Sequence, residues 1–360
     1  MGWKSRSGRR LKVGVIGCGW VATERHIPAF RKDSRVLITA VADRSPARAR
    51  AVARRFGILH HSTHPDEVIQ LADAVSICTP PWTHAELSIN ALSKGCHVLV
   101  EKPMATNLGD ATQMRLAAEG SNRVLCVSHN FLFSSSVQSA LRLTAEGKIG
   151  KVHTVLASQL SSWSRRLPKW HMQLPGGLFY DEAPHMVYLI REFVGELNVA
   201  ASAVRFTKDG ALSRVSARLD GARGDASFEM VLGAPVSEWL LAVIGSQGVL
   251  LIDIFRDILL LVRSDGSHRP IDVLQTSVTS ISQHLLGAFR SGLSLLAHQL
   301  TFGHDELVRR FVDSILCKAP VPAGASDGLE VIRVLDEILS GAPGWDSGLR
   351  HRNTKSDSIG

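Results

Sequence analysis

The first third of the chain alternates short apolar runs with segments of helical periodicity. The runs typical of buried strands are residues 11–16, 36–42, 73–78, 97–100 and 124–130. Strands that alternate with helices in this way indicate β-α-β units, which assemble into parallel sheets. The pattern therefore predicts an α/β protein whose N-terminal domain, residues 11–130, is a doubly wound Rossmann domain.

After about residue 150 the pattern changes to strands separated by turn signals such as Asp220-Gly221 and Asp265-Gly266. The strand patterns are Val152 to Gln159, Val199 to Lys208, Ser213 to Leu219, Ala226 to Leu232, Leu240 to Ile244, Val249 to Ile254 and Ile258 to Arg263. Helical patterns follow at about 282–300, 305–317 and 326–339. We predict a C-terminal α+β domain over residues 131–341, built on a large, mostly antiparallel open sheet, with flexible tails at 1–10 and 342–360.

The composition is that of an ordinary soluble chain with room for two cores. It has 360 residues, of which 45% are hydrophobic and 21% charged. Its five cysteines are scattered singly, so buried thiols in a reducing compartment are expected. No apolar signal segment follows the basic opening, and the most apolar helical stretch, 285–300, is interrupted by Arg290 and His298. We expect a cytoplasmic protein with no membrane partner.

The net charge of +8 and the pI of about 9.5 raise the hypothesis of a nucleic-acid partner. Basic residues cluster between Lys4 and Arg10, but no nucleic-acid motif accompanies them, so we expect a solvated tail and no nucleic-acid partner. A basic body also suits ligands that carry phosphates. His60, His61 and His64 lack further ligands at suitable spacing, and no metal is expected.

The turn after the first strand reads Gly17-Cys18-Gly19-Trp20-Val21-Ala22 and opens a helix. Gly17 permits the turn, Gly19 lets backbone amides approach a pyrophosphate, and Ala22 keeps the helix close to the strand. We therefore expect Gly17, Gly19, Trp20, Val21 and Ala22 to contact a dinucleotide.

Asp43 ends the second strand, 21 residues after Ala22. A carboxylate there is placed to bind the adenosine ribose hydroxyls, although it could instead cap the following helix. Arg44 could hold the 2′-phosphate of NADP, which Asp43 would repel. NAD is the expected cofactor, and NADP stays open as the alternative.

The next two apolar strands end at Thr79-Pro80 and at Glu101-Lys102. In a doubly wound sheet, ligands lie beyond the carboxyl ends of the strands. Thr79, Pro80 and Lys102 should therefore converge on one crevice.

The segments GVIGCG, CTPPWTHAE and VEKPMA, together with Asp43, resemble the glucose-fructose oxidoreductase, inositol dehydrogenase and rhizopine-catabolism family, Gfo/Idh/MocA. The resemblance implies that Lys102 is the active-site lysine. It also implies that His84, Glu101, Lys102 and Asn130 contribute to the cofactor site.

The stretch 176–185, GGLFYDEAPH, resembles the glycine-rich lead of the same family into a D-x-x-x-H motif. The resemblance implies that Asp181 and His185 are catalytic and bind the substrate, and their spacing would place both on one face of a helix. Because proline is tolerated only near a helix start, we expect a turn or first helical turn from Asp181 to Pro184 and a helix on to about Val194.

The expected reaction interconverts a secondary alcohol and a ketone on a sugar, sugar acid, nucleotide sugar or cyclic polyol by hydride transfer. His185 would act as the general base, and Lys102 would hydrogen-bond the reacting oxygen and relay a proton. Asp181 would orient one of these two side chains and bind a neighbouring hydroxyl.

The stretch 161–171, SSWSRRLPKWH, contains residues that could recognise the substrate. Trp163 and Trp170 could stack on a sugar ring, while Arg165 and Arg166 could bind a phosphate or carboxylate. A surface loop or an oligomer contact is an equally open interpretation. Three positions depart from the family pattern and indicate a pocket unlike that of a typical inositol dehydrogenase: Phe131, Ala183 and Tyr188.

Two other functions stay open at this point. One is an NAD-dependent glycoside hydrolase that uses transient oxidation, and the other is a dinucleotide-binding sensor or regulator without catalysis. The retained Lys102, Asp181 and His185 argue against the sensor. The resemblance further implies a small-molecule carbohydrate substrate and a homo-oligomer, either a dimer or a tetramer.

Overall fold

The computed structural model describes residues 10–162, 164, 169–264, 269–296 and 301–341. The chain divides into two compact units, which we call unit 1 and unit 2. Unit 1 comprises residues up to 129 together with 304–332, and unit 2 comprises residues 130–303 together with those from 333 onward. The segment 304–332, which the sequence pattern assigned to the second domain, is therefore part of unit 1.

Unit 1 contains a six-stranded parallel sheet. Its strands are β1 (Leu11–Ile16), β2 (Val36–Ala42), β3 (His60–Ser62), β4 (Ala74–Ile77), β5 (His97–Val100) and β6 (Leu125–Val127). They lie in the order β3-β2-β1-β4-β5-β6, and every neighbouring pair is parallel. This order is that of the doubly wound Rossmann fold, so the predicted fold of the N-terminal domain is confirmed.

Helices connect these strands. They are a π-helical turn at Ala22–His26 that continues into α1 (Ile27–Lys32), then α2 (Pro46–Phe56), α3 (Pro65–Gln70), α4 (His84–Ser93) and α5 (Leu108–Ser121). The central strands are apolar because helices cover the sheet: Val15, Val75 and Val98 are fully buried. The pattern missed β3, because its residues are polar and largely exposed at the edge of the sheet.

The segment 304–332 packs into unit 1 through several contacts. It contains α9 (His304–Leu316) and the first part of α10 (Ala325–Ser340). The Phe311 ring meets the Phe30 ring edge-on at 6.4 Å, and Arg35 donates to Asp313 at 2.7 Å. The Val127 N–H donates to the carbonyl of Ala323 at 2.8 Å. A segment distant in sequence therefore completes the core of the Rossmann unit.

Unit 2 contains a seven-stranded mixed sheet. Its strands are β7 (Val152–Ser161), β8 (Leu197–Phe206), β9 (Leu212–Gly221), β10 (Gly224–Leu232), β11 (Glu238–Gly245), β12 (Gly248–Asp253) and β13 (Ile258–Arg263). The order is β13-β12-β11-β7-β10-β9-β8, in which only β7 and β10 are parallel. All seven strand patterns are found, and the mostly antiparallel sheet is confirmed.

Three helices accompany this sheet: α6 (Ser135–Ala145), α7 (Leu178–Val194) and α8 (Pro270–Leu296). Helix α7 packs on β7 and β10. The expectation that Asp181 to Pro184 form a turn or first turn is wrong, because α7 begins at Leu178 and Pro184 lies inside it. Nearly every side chain of α7 is buried, so tertiary packing outweighs the intrahelical hydrogen bond that Pro184 cannot donate.

Four of the five cysteines lie in the core. Cys18, Cys78, Cys96 and Cys126 are buried thiols, and Cys317 is exposed. In the part of the chain that the structure describes, no helix combines the length and the apolar character that a membrane crossing needs.

Candidate active site

The turn after β1 has the geometry of a dinucleotide cradle. Gly17 has a φ of 94°, and a Cβ atom there would lie 2.6 Å from the carbonyl oxygen of Cys78, so only glycine fits. At Gly19 nothing lies within 4 Å of a Cβ position, so the backbone faces open space. Helical hydrogen bonding begins immediately, as the Thr23 N–H donates to the Gly19 carbonyl at 3.1 Å. The turn and the helix end therefore fit a pyrophosphate.

The three residues after Gly19 differ in exposure. Ala22 is fully buried and lets the helix approach the sheet. Trp20 is 66% exposed, and the guanidinium carbon of Arg25 lies 5.0 Å from its ring centre. Val21 is half-buried. Trp20 is therefore accessible to a ligand at the turn, whereas Ala22 acts through packing.

Asp43 links the glycine-rich turn to the end of β2. Its carboxylate accepts hydrogen bonds from the N–H groups of Cys18 and Ser45, both at 2.9 Å, and Arg48 Nη1 lies 3.3 Å from both of its oxygens. Ser45, rather than Asp43, caps α2. Arg44 is exposed next to it. The structure thus places a buried negative charge, partly balanced by Arg48, beside the cradle.

His84 and the residues around it join two strand ends. The His84 ring is fully buried, and its two nitrogens each lie 2.9 Å from a carbonyl oxygen, those of Thr79 and Pro103. Burial lowers the pKa of His84, and the two carbonyl oxygens oppose that effect. Pro80 lies between Thr79 and the short 3₁₀ turn that precedes α4. His84 therefore ties the end of β4 to the turn after β5, which contains Lys102.

Glu101 is held by a buried ion pair immediately before Lys102. His26 Nε2 lies 2.6 Å from Glu101 Oε1, and His26 Nδ1 lies 2.8 Å from Ser76 Oγ. The other carboxylate oxygen of Glu101 accepts the Lys102 N–H at 3.2 Å. The pair thus fixes the backbone of the half-buried Lys102, which precedes the cis peptide bond to Pro103.

The charges of this pair reinforce each other. Burial by itself would lower the pKa of His26, but the neighbouring Cys78 and Glu101 outweigh it and raise that pKa to about 10. Burial would raise the pKa of Glu101, but the hydrogen bond and charge of His26 lower it to about 2. Both groups are therefore charged near neutral pH.

The same pair belongs to a group of possible metal ligands. Among the described residues, His26, Glu101 and His304 are three buried side chains whose ligand atoms all lie within 4.8 Å of one another. The 2.6 Å separation of His26 and Glu101 is that of a charge-assisted hydrogen bond, and Ser76 engages the second nitrogen of His26. The arrangement therefore satisfies His26 through protein contacts.

In unit 2, α7 carries both members of the predicted catalytic pair. Asp181 and His185 are 8% and 6% exposed, and they lie one helical turn apart. His185 Nδ1 lies 2.7 Å from the hydroxyl oxygen of Tyr188, which also accepts the N–H of Phe131 at 3.2 Å. Tyr188, noted in the sequence as a departure from the family pattern, is therefore a direct partner of the histidine.

Aromatic rings surround His185. The centroid of its ring lies 4.9 Å from that of Phe131 and 5.2 Å from that of Trp239. Phe131 also meets Phe302 at 5.7 Å. Sequence reasoning missed Trp239 and Phe302, because they lie in a strand and a loop that are remote from the motif. The i, i+3 spacing of His185 and Tyr188 is the signal that could have revealed the tyrosine.

The remaining candidates have varied positions. Asn130 is 5% exposed, and its side-chain amide donates to the carbonyl of Phe302 at 2.9 Å. Trp170 is half-buried in a short 3₁₀ turn. Trp163, Arg165 and Arg166 lie outside the described residues. The hypothesis that these three bind an anionic sugar therefore stays a prediction.

Comparison with known proteins places this geometry in a family. Residues 11–129 match the model of the oxidoreductase family with an NAD-binding Rossmann fold, GFO_IDH_MocA, and residues 137–251 match the GFO/IDH/MocA C-terminal domain. The chain is 31% identical over 278 residues to dTDP-3,4-didehydro-2,6-dideoxy-alpha-D-glucose 3-reductase from Streptomyces violaceoruber, covering 73% of this chain and 80% of the reductase.

Two solved structures share the fold over almost the whole length. Levoglucosan dehydrogenase in complex with NADH and L-sorbose has a TM-score of 0.78 at 21% identity, covering 92% of this chain and 96% of the other. The WlbA dehydrogenase of Bordetella pertussis in complex with NADH and UDP-GlcNAcA has a TM-score of 0.76 at 19% identity, covering 93% and 96%. With both of its domain models matched, this chain belongs to the GFO/IDH/MocA family of oxidoreductases.

Proposed function

We propose that this chain is an NAD(P)-dependent oxidoreductase that interconverts a secondary alcohol and a ketone on a sugar or nucleotide sugar. The main support for this proposal is the environment of His185. Its buried imidazole lies among aromatic rings and contacts the Tyr188 hydroxyl at 2.7 Å. A related reductase and the structurally similar dehydrogenases act on or bind sugar-like compounds, as their names state. Family membership supports the reaction class, and the residues of this chain support the assignment of roles.

The proposed chemistry assigns one role to each candidate side chain. When bound, the nicotinamide supplies the hydride chemistry. His185 takes the proton of the substrate hydroxyl at Nε2, since Nδ1 contacts the Tyr188 hydroxyl. The hydroxyl oxygen can accept a hydrogen bond from Nδ1–H and so stabilise the imidazolium that forms. Lys102 donates a hydrogen bond to the same substrate oxygen, and Asp181 orients the reacting groups from one turn before His185.

NAD is the proposed cofactor, held by the cradle from Gly17 to Ala22. Asp43 is the residue that decides between NAD and NADP, because its carboxylate lies at the end of β2, where the adenosine ribose binds in Rossmann folds. Arg48 is 54% exposed in its side chain and neutralises only part of that charge. Arg44 adds a second exposed cation. For this reason NADP stays the alternative cofactor, with which the reaction should be slower.

The proposal is tested by a screen of sugars, sugar acids and nucleotide sugars with NAD and NADP, with absorbance of the reduced nicotinamide as the readout. We expect net formation of NADH with one substrate class. Release of a free sugar without net change of cofactor would instead indicate transient oxidation during glycoside cleavage. Cofactor binding without turnover of any class would indicate a sensor.

His185→Asn provides the matched active-site test. It should lower kcat by about 10²–10⁴-fold while leaving NADH binding intact, because the cradle lies in unit 1. The control is His153→Asn, an exposed histidine on β7 of the same unit, which should leave turnover unchanged. Full turnover of His185→Asn would contradict the assignment of the general base.

A further inference from the structure

Helix α8 packs on β13, at the edge of the unit 2 sheet, with its polar side. Its apolar side chains lie on the opposite side and are 55–64% exposed at Leu274, Val278, Ile281 and Leu285. An amphipathic helix of a folded domain normally buries its apolar side instead. Burial of apolar surface therefore does not explain why α8 turns its polar side toward the sheet.

One part of this polar side pairs the open edge of β13. The Gln283 side chain accepts the Leu261 N–H at 2.7 Å and donates to the Leu261 carbonyl at 3.1 Å. A Cβ at Gly287 would lie 2.9 Å from the Ile258 side chain, so helix and strand lie close together at this end. The helix thus satisfies backbone groups that an edge strand otherwise leaves unpaired.

Toward the other end of β13, the strand and the helix border a cavity of about 550 Å³. This volume is typical of sites that bind small molecules. Five side chains of its wall have no hydrogen-bond or ion-pair partner among the residues that the structure describes: Arg263, Gln275, Thr276, Thr279 and Ser280. Pairing of the strand edge explains the position of Gln283 but of none of these five. The wall therefore offers polar groups that a ligand can engage.

The charges of the wall favour an anionic ligand. The acidic residue of the wall, Asp272, is held by Arg269, whose N–H and Nε lie 3.1 Å and 3.0 Å from Asp272 Oδ2. The charge of Arg263 is left without an acidic partner among the described residues. A guanidinium binds a phosphate or a carboxylate through two parallel hydrogen bonds. Arg263 therefore favours a ligand that carries one of these two groups.

The neutral groups of the wall favour a ligand with several hydroxyls. Thr276 precedes Thr279 and Ser280 by three and four residues, so their hydroxyls lie on one side of α8. Each of these hydroxyls can both donate and accept a hydrogen bond, and the Gln275 amide can do the same. The hydroxyls of a sugar have the same dual character and can therefore pair with this side of the helix.

We propose that the cavity between β13 and α8 binds an anionic monosaccharide, a sugar ring that carries a phosphate or a carboxylate. The anionic group contacts the Arg263 guanidinium, and the ring hydroxyls contact the polar side of α8. Strand β13 lies two strands away from β11, which carries Trp239 beside His185. The proposal is independent of the reaction that the chain catalyses.

Isothermal titration of the full chain with glucose 6-phosphate, glucuronate, glucose and inorganic phosphate tests the proposal. One of the two anionic sugars should bind about tenfold more tightly than glucose and inorganic phosphate. Arg263→Gln should weaken this binding by about 10–100-fold, because a charge-assisted pair is lost. Thr279→Val keeps the shape of the side chain and should weaken it by about 2–10-fold. Unchanged far-UV circular dichroism will show that both variants are folded.

Two matched variants distinguish this cavity from other sites. Arg218→Gln removes an exposed arginine on β9 of the same sheet and should leave the binding unchanged. Lys102→Met alters the candidate active site and should also leave it unchanged, while Arg263→Gln should leave turnover in the sugar screen unchanged. Binding that is kept in Arg263→Gln and lost in Lys102→Met overturns the proposal. So does the absence of binding by either anionic sugar, or equally tight binding of inorganic phosphate, which would indicate an adventitious ion only.

Discussion

Lys102 and His185, the two residues proposed to handle the substrate proton, lie in opposite kinds of surroundings. The backbone of Lys102 is fixed by charged and polar neighbours: the Glu101 carboxylate accepts its N–H, and His26 pairs with that carboxylate. His185 instead lies among aromatic rings, and its ring nitrogen Nδ1 contacts the Tyr188 hydroxyl. One residue is thus positioned through its backbone, and the other through its own ring.

On the proposed function, this difference separates the expected effects of substitutions near the two residues. A backbone fixed by a buried ion pair is insensitive to the shape of a substrate pocket. On the proposed function, the aromatic side chains around the imidazole also border the substrate, so substitutions there should alter both proton transfer and recognition. We therefore expect variants near Lys102 to lower stability more than turnover. Variants near His185 should lower turnover more than stability.

The largest expected effect comes from removing each proton-handling side chain. Lys102→Met and His185→Asn should each lower kcat by about 10²–10⁴-fold, the usual contribution of a positioned acid or base. Steady-state kinetics and NADH titration will measure this. Lys94→Met, a surface lysine paired with Asp66, is the control and should not change kcat. Loss of NADH binding in the His185→Asn variant would contradict the division of roles.

The next largest effect should come from the ion pair behind Lys102. His26→Gln leaves the buried Glu101 charge without its partner, so the free energy of unfolding should fall by about 3–5 kcal/mol. Urea unfolding measures this loss. Ser76→Ala, which removes only the hydroxyl next to His26 Nδ1, should cost about 1 kcal/mol. Equal losses in the two variants would show that the charge pairing contributes little.

The raised pKa of His26 predicts how the stability difference between wild type and His26→Gln changes with pH. Because the folded-state pKa of His26 is raised to about 10, its stabilising effect is complete below its ordinary pKa of about 6.5 and is lost as the pH rises toward 10. The difference in unfolding free energy between wild type and His26→Gln should therefore shrink between pH 7 and pH 10. A difference that grows over this range would show that His26 is neutral in the folded chain.

A smaller effect is expected from the hydroxyl beside His185. Tyr188→Phe removes the acceptor for the Nδ1 proton, and a hydrogen bond to a charged group is worth about 1.5–3 kcal/mol, so kcat should fall by about 10–100-fold. If Tyr188 acts through His185, the acidic limb of the kcat–pH profile should also move to lower pH, because the imidazolium loses a stabilising acceptor and His185 stays the free base at lower pH. A fall in kcat with an unchanged pH profile would assign Tyr188 a purely structural role.

The smallest expected effect concerns the choice of cofactor. Asp43→Asn keeps the shape of the side chain but removes the charge that repels a 2′-phosphate. The ratio of kcat/KM for NADP to that for NAD should rise about tenfold, or about 1.4 kcal/mol. Asp66→Asn, a surface carboxylate of the same unit, serves as the control. An unchanged ratio would show that Asp43 does not decide between NAD and NADP.

Much of the fold could be read from local patterns. The alternating apolar runs predicted both sheets, and the glycine pattern from Gly17 to Ala22 predicted the turn. The structure gives the reason for the glycine, because Gly17 has a φ of 94° and lies close to Cys78. The position of Pro184 was misjudged, because the rule for isolated helices underestimates what complete burial of α7 can stabilise. Strand β3 was missed because an exposed edge strand has no apolar period to reveal it.

Sequence alone determined the fold class, the family and the identity of the candidate catalytic side chains, since each depends on periodicity or on a short motif. Only the tertiary structure decided that His26 pairs with Glu101, 75 residues away, that residues 304–332 complete the Rossmann unit, and that α8 points its apolar face outward. The physical reason is the same in each case. These features depend on which distant surfaces meet, and the meeting of distant surfaces leaves no periodic signal along the chain.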